Sequence, residues 1–152
     1  LIGQVNPAQV SMKNILFLCV GNSARSQIAE GLAKEMFDPD SFDIQSAGSD
    51  PAGYVHDNAI TTMSNIGIDI SQAKSKSIEE LEDSFLENIN YVITLCSEEI
   101  CPTLSSKAIK LHWPNPDPAD VNLNPAQSKV AFTECRKSIY NLVKKLFTEL
   151  HC

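Results

Sequence analysis

From Cys19 to Ser26 the chain reads Cys-Val-Gly-Asn-Ser-Ala-Arg-Ser: a cysteine, five intervening residues, an arginine and a serine. Five residues are enough for a backbone to curl into a ring whose N–H groups, those of Val20, Gly21, Asn22, Ser23, Ala24 and Arg25, converge on one tetrahedral oxyanion. Gly21 and Asn22 tolerate the left-handed dihedrals that such a ring needs, and a helix starting at its far end adds the positive end of its dipole. Arg25 can then grip two equatorial oxygens bidentately. The same field of amides, dipole and guanidinium favours the thiolate of Cys19, the form that attacks, and Ser26 is placed to donate to that sulfur. Taken singly, a strand-end cysteine is more often packing, and an arginine opening a helix is more often a surface residue. The spacing between strand and helix is what points to a nucleophilic oxyanion site.

Two further stretches carry chemistry. Cys96-Ser97-Glu98-Glu99-Ile100-Cys101 offers a pair of thiols, and Trp113-Pro114-Asn115-Pro116-Asp117-Pro118-Ala119 offers a carboxyl in a loop stiffened by prolines. A carboxyl held over the oxyanion could protonate the oxygen that leaves as Cys19 attacks; an isolated Asp-Pro is equally a turn former. Cys96 and Cys101 could likewise be small buried residues. Four ligands at structural zinc spacing are absent, and His56, His112 and His151 form no partner set, so no metal is expected. Cys135, inside a long apolar helix pattern, is assigned to packing, and the final Cys152 to a frayed end.

The elements that must position these groups follow from hydrophobic pattern. Ile15 to Val20 is an unbroken apolar run, the mark of a strand covered on both faces. Ile28, Ala29, Leu32, Ala33 and Met36 recur at helical spacing, with Glu30, Lys34 and Glu35 offset, until Asp38-Pro39. A strand over Phe42–Ala47 and a helix over Asp57–Ile66 come next. Ser77 with Glu80 reads as a capping box opening a third helix to about Leu86. Tyr91–Leu95 is a second buried strand, running into Cys96, and Ala108–His112 a last one. Pro125 opens a long terminal helix with Ile139, Leu142, Val143, Leu146 and Leu150 on one face. Four strands alternating with helices imply an α/β protein with a mainly parallel sheet between two helical layers, and in such sheets ligands bind beyond the carboxyl ends of the strands.

The whole chain sets the bounds. At 152 residues and 43% hydrophobic it fills one domain. Leu1 to Ser11, without charge or period, read as a tag or disordered tail, leaving 12–152 as the single domain. Twelve Lys plus Arg against 19 Asp plus Glu, a net charge of −7, argue against nucleic acid or an anionic membrane as partner. No apolar run is long enough to span a bilayer. Five cysteines, an odd number in a chain that needs no staples, fit reduced thiols and a cytoplasmic setting.

With these residues in view, the chain resembles the low-molecular-weight tyrosine phosphatase superfamily, and Gly21-Asn22-Ser23-Ala24-Arg25-Ser26-Gln27-Ile28-Ala29-Glu30 looks like its arsenate reductase branch, with Gln27 where the phosphatases usually carry proline. The likeness continues through Pro51–His56, Ile66–Ser71, Tyr91–Cys96 and His112-Trp113. It implies a three-layer sandwich around a four-stranded parallel sheet in the order 2-1-3-4, Asp117 as general acid, and reduction of arsenate. In that reaction Cys96, brought beside Cys19 by the strand order, displaces arsenite and leaves a Cys19–Cys96 disulfide, and Cys101 carries the disulfide outward. The family's thioredoxin-coupled members use such a relay, usually with a longer gap between the second and third cysteines. Electrons would come from reduced thioredoxin, with no tightly bound cofactor. Asn22, Ser26, Glu30 and Asp69 would brace the anion loop, and some family members bind a potassium ion at comparable positions. The competing readings are hydrolysis of phosphomonoesters through a phosphocysteine, disfavoured by Ala119 where phosphatases place a tyrosine, and a non-catalytic oxyanion-binding module.

Overall fold

The computed structural model describes residues 12–97, 104 and 107–151. The expected tail, Leu1 to Ser11, and both Cys101 and Cys152 lie outside them.

Four strands, β1 (Lys13–Cys19), β2 (Phe42–Gly48), β3 (Ile89–Thr94) and β4 (Ile109–His112), form one parallel sheet in the order β2-β1-β3-β4. The helices are α1 (Arg25–Met36), α2 (Asp57–Ser64), α3 (Asp83–Glu87) and α4 (Pro125–Leu150). Strand β1 is central and shows why its apolar run is unbroken. Ile15 and Phe17 face a large core with α1, α2 and α4, while Leu16 and Leu18 face a smaller one with Leu81, Phe85, Ile89 and Val92. Burial on both faces removes the alternation that a half-exposed strand would show.

Helix α4 starts where Asn124 and Gln127 cap each other. The Gln127 N–H donates to Asn124 Oδ1 at 2.8 Å and the Asn124 N–H to Gln127 Oε1 at 2.9 Å, with Pro125 in the first turn. Ile139, Val143 and Leu146 of this helix are fully or nearly fully buried.

The expected third helix is split. The Ser77–Glu80 capping box is present, but it opens only a 3-10 turn over Ile78–Glu80; Leu81 is extended, with φ −78° and ψ 149°, before α3 begins. The reason is distance. Ser77 bridges to Gly48, opposite Cys19 at the top of β1, whereas the Phe85 carbonyl accepts from Asn14 Nδ2 near its bottom. Five strand residues cover about 16 Å, and an unbroken α-helix from 77 to 85 would cover only about 12 Å. An extended link makes up the difference. Among the described residues, no helix is long and apolar enough to cross a membrane.

Candidate active site

The segment between β1 and α1 closes into a ring because its carbonyls are pinned outward. Val20 O accepts from the Asp50 N–H, Gly21 O from Ala52 and Ser23 O from His56, each at 2.9 Å. In a trans peptide the N–H points opposite the C=O, so the amides of Gly21, Asn22 and Ala24 turn inward. Asn22 makes the bend at φ 46°, the left-handed region that asparagine tolerates. Helix α1 carries no side-chain cap, which leaves the first-turn donors facing the same hollow. The result is a pocket of about 210 Å3 lined by Cys19 through Arg25 together with Asp117 and Ala119. The six oxyanion-binding residues expected from the sequence thus share one concave surface.

Cys19, the last residue of β1, is 2% exposed and is a free thiol. Its Sγ lies 2.8 Å from Ser26 Oγ and accepts the Asn22 N–H at 3.2 Å. Arg25 is buried, its Nη1 donating to Asn115 O at 2.9 Å and to Leu95 O at 3.5 Å. Asn115 is itself fixed, donating from Nδ2 to Trp113 O and from its N–H to Leu95 O, and Trp113 packs tilted on Phe17. The arginine, the acid loop and the end of β3 therefore form one unit. Asp117, exposed at the mouth, accepts the Ala119 N–H at Oδ1 over 2.9 Å.

Cys96 arrives from β3. The Leu95 N–H donates to Leu18 O at 3.0 Å, which extends the β1–β3 pairing by one residue and sets Cys96, 1% exposed, beside the end of β1. Cys96 is in a disulfide, and Cys19 and Cys135 are free thiols; Cys101 lies outside the described residues. Cys135 is packed under the site, where burial pushes its thiol up to about 12, so it remains a neutral thiol.

Behind the loop, Asn22, Ser26 and Glu30 meet in the expected brace, and Asp69 departs from it. Asp69 does not join it: it is exposed and closes its own turn, with hydrogen bonds from Ser71 holding its carboxyl below the usual range. Glu30, placed by periodicity on the offset face of α1, is only 8% exposed. It accepts from Ser46 Oγ and pairs with Lys34 Nζ at 2.6 Å and Lys76 Nζ at 3.8 Å. Asn22 Oδ1, the other oxygen a cation would need, accepts from Gln27 Nε2 and from the Lys76 N–H, both at 2.9 Å. With these acceptors turned to donors, and ammonium groups already on the carboxylate, the residues present do not fit a bound potassium ion.

Sequence reading missed Ser46, Lys76, Asn115 and Gly48. Only Gln27 carried a signal, as the residue standing in place of proline; its Nε2 also donates to Asn22 O at 3.2 Å and to Lys74 O at 2.9 Å, stitching the loop to residues 71–77.

Comparison with known proteins places this geometry. A match to the low molecular weight phosphotyrosine protein phosphatase family spans residues 14–152. The chain is 36% identical over 137 residues to an arsenate reductase of Halalkalibacterium halodurans, covering 89% of this chain and 95% of that one. Among solved structures, an arsenate reductase in the phosphate-binding state is 31% identical with a TM-score of 0.74, over 91% of this chain and 98% of that one. A thioredoxin-dependent arsenate reductase of Corynebacterium glutamicum is 28% identical with a TM-score of 0.69, over 94% of this chain and 64% of the other.

Proposed function

The chain belongs to the low molecular weight phosphotyrosine protein phosphatase family, and from that premise we propose that it is an arsenate reductase in which Cys19 is the nucleophile and Cys96 the second thiol. The observation that carries this reading is the second buried cysteine beside the first: Leu95 is bonded to Leu18, so Cys96 follows directly at the end of β1. Hydrolysis of a phosphate ester has no use for it.

Arsenate sits in the ring, its oxygens held by the inward amides and by Arg25. The Cys19 thiolate, with the Asn22 N–H and Ser26 hydroxyl on its sulfur, attacks arsenic. An arsenic–sulfur bond forms, an arsenic–oxygen bond breaks, and the leaving oxygen takes a proton from Asp117 and departs as water. Cys96, deprotonated, then attacks Cys19 Sγ; a disulfide forms, and the electron pair of the arsenic–sulfur bond stays on arsenic, which leaves as arsenite. Two thiols have supplied two electrons. Cys101 attacks Cys96 and frees Cys19, and the dithiol of reduced thioredoxin resets the outer pair, a chemistry suited to the reducing cytoplasm.

The pocket that takes arsenate also takes phosphate, and Cys19, Arg25 and Asp117 suffice for slow phosphomonoester cleavage. Purified protein with thioredoxin, thioredoxin reductase and NADPH should consume NADPH when arsenate is added. Cys96→Ser or Cys101→Ser should stop that turnover and spare aryl phosphate cleavage. Sustained arsenate turnover by both serine variants would show that an external thiol, not the relay, completes the reaction.

A further inference from the structure

The Asn22 carboxamide is held by four hydrogen bonds whose directions are set by the groups around it. Oδ1 accepts from Gln27 Nε2 and from the Lys76 N–H, both of which only donate. The amide nitrogen therefore faces the other way, donating to Ser26 Oγ at 2.8 Å and Ser46 Oγ at 2.9 Å. Each serine hydroxyl, with an oxygen lone pair so engaged, can send its own proton onward. That of Ser46 goes to Glu30 Oε1, and Ser26 Oγ lies 2.8 Å from Cys19 Sγ, to which it donates when the sulfur is a thiolate. The row ends at one side on a carboxylate and at the other on the nucleophilic sulfur.

A carboxylate that is 8% exposed needs a counter-charge. Lys34 reaches it from one turn along α1, but that side chain is 55% exposed and so strongly screened. Lys76 is 21% exposed, lies on the Ser46 side of the carboxylate at Oε1, and contributes its own N–H to Asn22. One residue thus touches both ends of the amide-to-carboxylate link.

We propose that Lys76 is the built-in cation of this brace: its ammonium supplies the counter-charge that some family members draw from a potassium ion, and the chain holds its anion loop without any monovalent cation. Lys76 is a positioning residue, acting through Glu30, Ser46 and Asn22. The inference rests on the reading of Cys19–Arg25 as an oxyanion loop but not on arsenate as the substrate.

Two readouts test it without arsenate or thioredoxin: the melting temperature, and the protection by inorganic phosphate of Cys19 against iodoacetamide. Each is measured in potassium chloride and in tetramethylammonium chloride at equal ionic strength. The unaltered protein should melt at the same temperature in both salts and need the same phosphate concentration for half-protection. Lys76→Met should need about tenfold more phosphate in tetramethylammonium, a loss of the order of one charge-assisted contact, and potassium or ammonium should restore most of it. Lys76→Arg, which keeps the charge, should remain indifferent to the cation. Dependence of the unaltered protein on potassium overturns the proposal, as does a Lys76→Met protein that responds equally to both salts; should that variant fail to fold, the unaltered protein's salt comparison still decides. Failure of arsenate turnover would leave these results untouched, so the two readings fail separately.

Discussion

Replacing Gly48 by alanine tests whether the anion loop is placed by main-chain contact. Gly48 ends β2, is paired with Cys19, and donates its N–H to Lys76 O at 2.9 Å. A Cβ added there would lie 2.3 Å from Val20 O and 3.0 Å from Asn22 N, where ordinary contact begins at 3.4 Å. Both atoms are backbone, so no rotamer change relieves the clash, and the Val20 carbonyl has to retreat by about 1 Å while keeping or losing its bond from Asp50. Overpacking of this kind costs about 1–3 kcal/mol of stability, and a misplacement of about 1 Å at a reacting centre costs on the order of 100-fold in rate. Urea unfolding should show a lower midpoint with an unchanged slope, and kcat/KM for aryl phosphate and for arsenate should fall together. The control is Gly67→Ala: φ is +82° there and nothing lies within 4 Å, so it should lose about 1 kcal/mol to backbone strain with kcat/KM unaltered. A Gly48→Ala protein with the original midpoint and kcat/KM within about threefold would refute the reasoning.

Arg25→Lys keeps the charge but removes the planar fork whose Nη1 donates to Asn115 O; kcat/KM should fall about 100-fold while the melting temperature moves little, read by aryl phosphate kinetics. Asn124→Ala removes the acceptor for the Gln127 N–H at the start of α4 and should cost about 1 kcal/mol in urea unfolding without changing turnover. Cys135 gives a test in pH. Its folded value is raised to about 12 from 9.0, so the unfolded chain releases that proton first; the stabilisation is complete below about pH 9 and is lost as pH rises from there towards 12. Unfolding midpoints should therefore drop more steeply over that range than those of Cys135→Ala, and parallel curves would contradict the burial of this thiol.

How far the chain could be read depended on which atoms do the work. The runs Ile15–Val20 and Tyr91–Leu95 mark β1 and β3 to within two residues because both faces of each strand are covered. The spacings of α1 and α4 are legible because their buried faces are continuous. The capping box predicts one third helix because it is local, whereas the break at Leu81 answers a span from the top of β2 to the bottom of β1 that only the assembled sheet defines. Cys19, Arg25 and Ser26 are legible since one contiguous segment supplies side chains and amides alike, and Asp117 and Cys96 since each follows the end of a strand. Periodicity alone puts Glu30 on the polar side of its helix, since it knows nothing of Ser46 and Lys76, which meet it from elsewhere, and only the resemblance names it for the brace; the same resemblance names Asp69, whose own turn claims it.

Much of what escaped acts through the backbone or through the lack of a side chain. Gly48 acts by lacking a side chain, and residues 74 to 76 act largely through main-chain atoms, the Lys74 carbonyl on Gln27, the Ser75 hydroxyl on Gly21 O and the Lys76 N–H on Asn22. Register, not residue type, brings them to the loop, so their contribution has no signature in composition or spacing. The nucleophile's surroundings are then tuned from a segment whose side chains, read alone, look like ordinary solvated lysines and serines. A substitution there that preserves charge and size can still move the sulfur's donors, if it changes how the backbone between Ser71 and Ser77 lies against β2, because the Asn22 amide has no other main-chain donor at Oδ1 among the described residues.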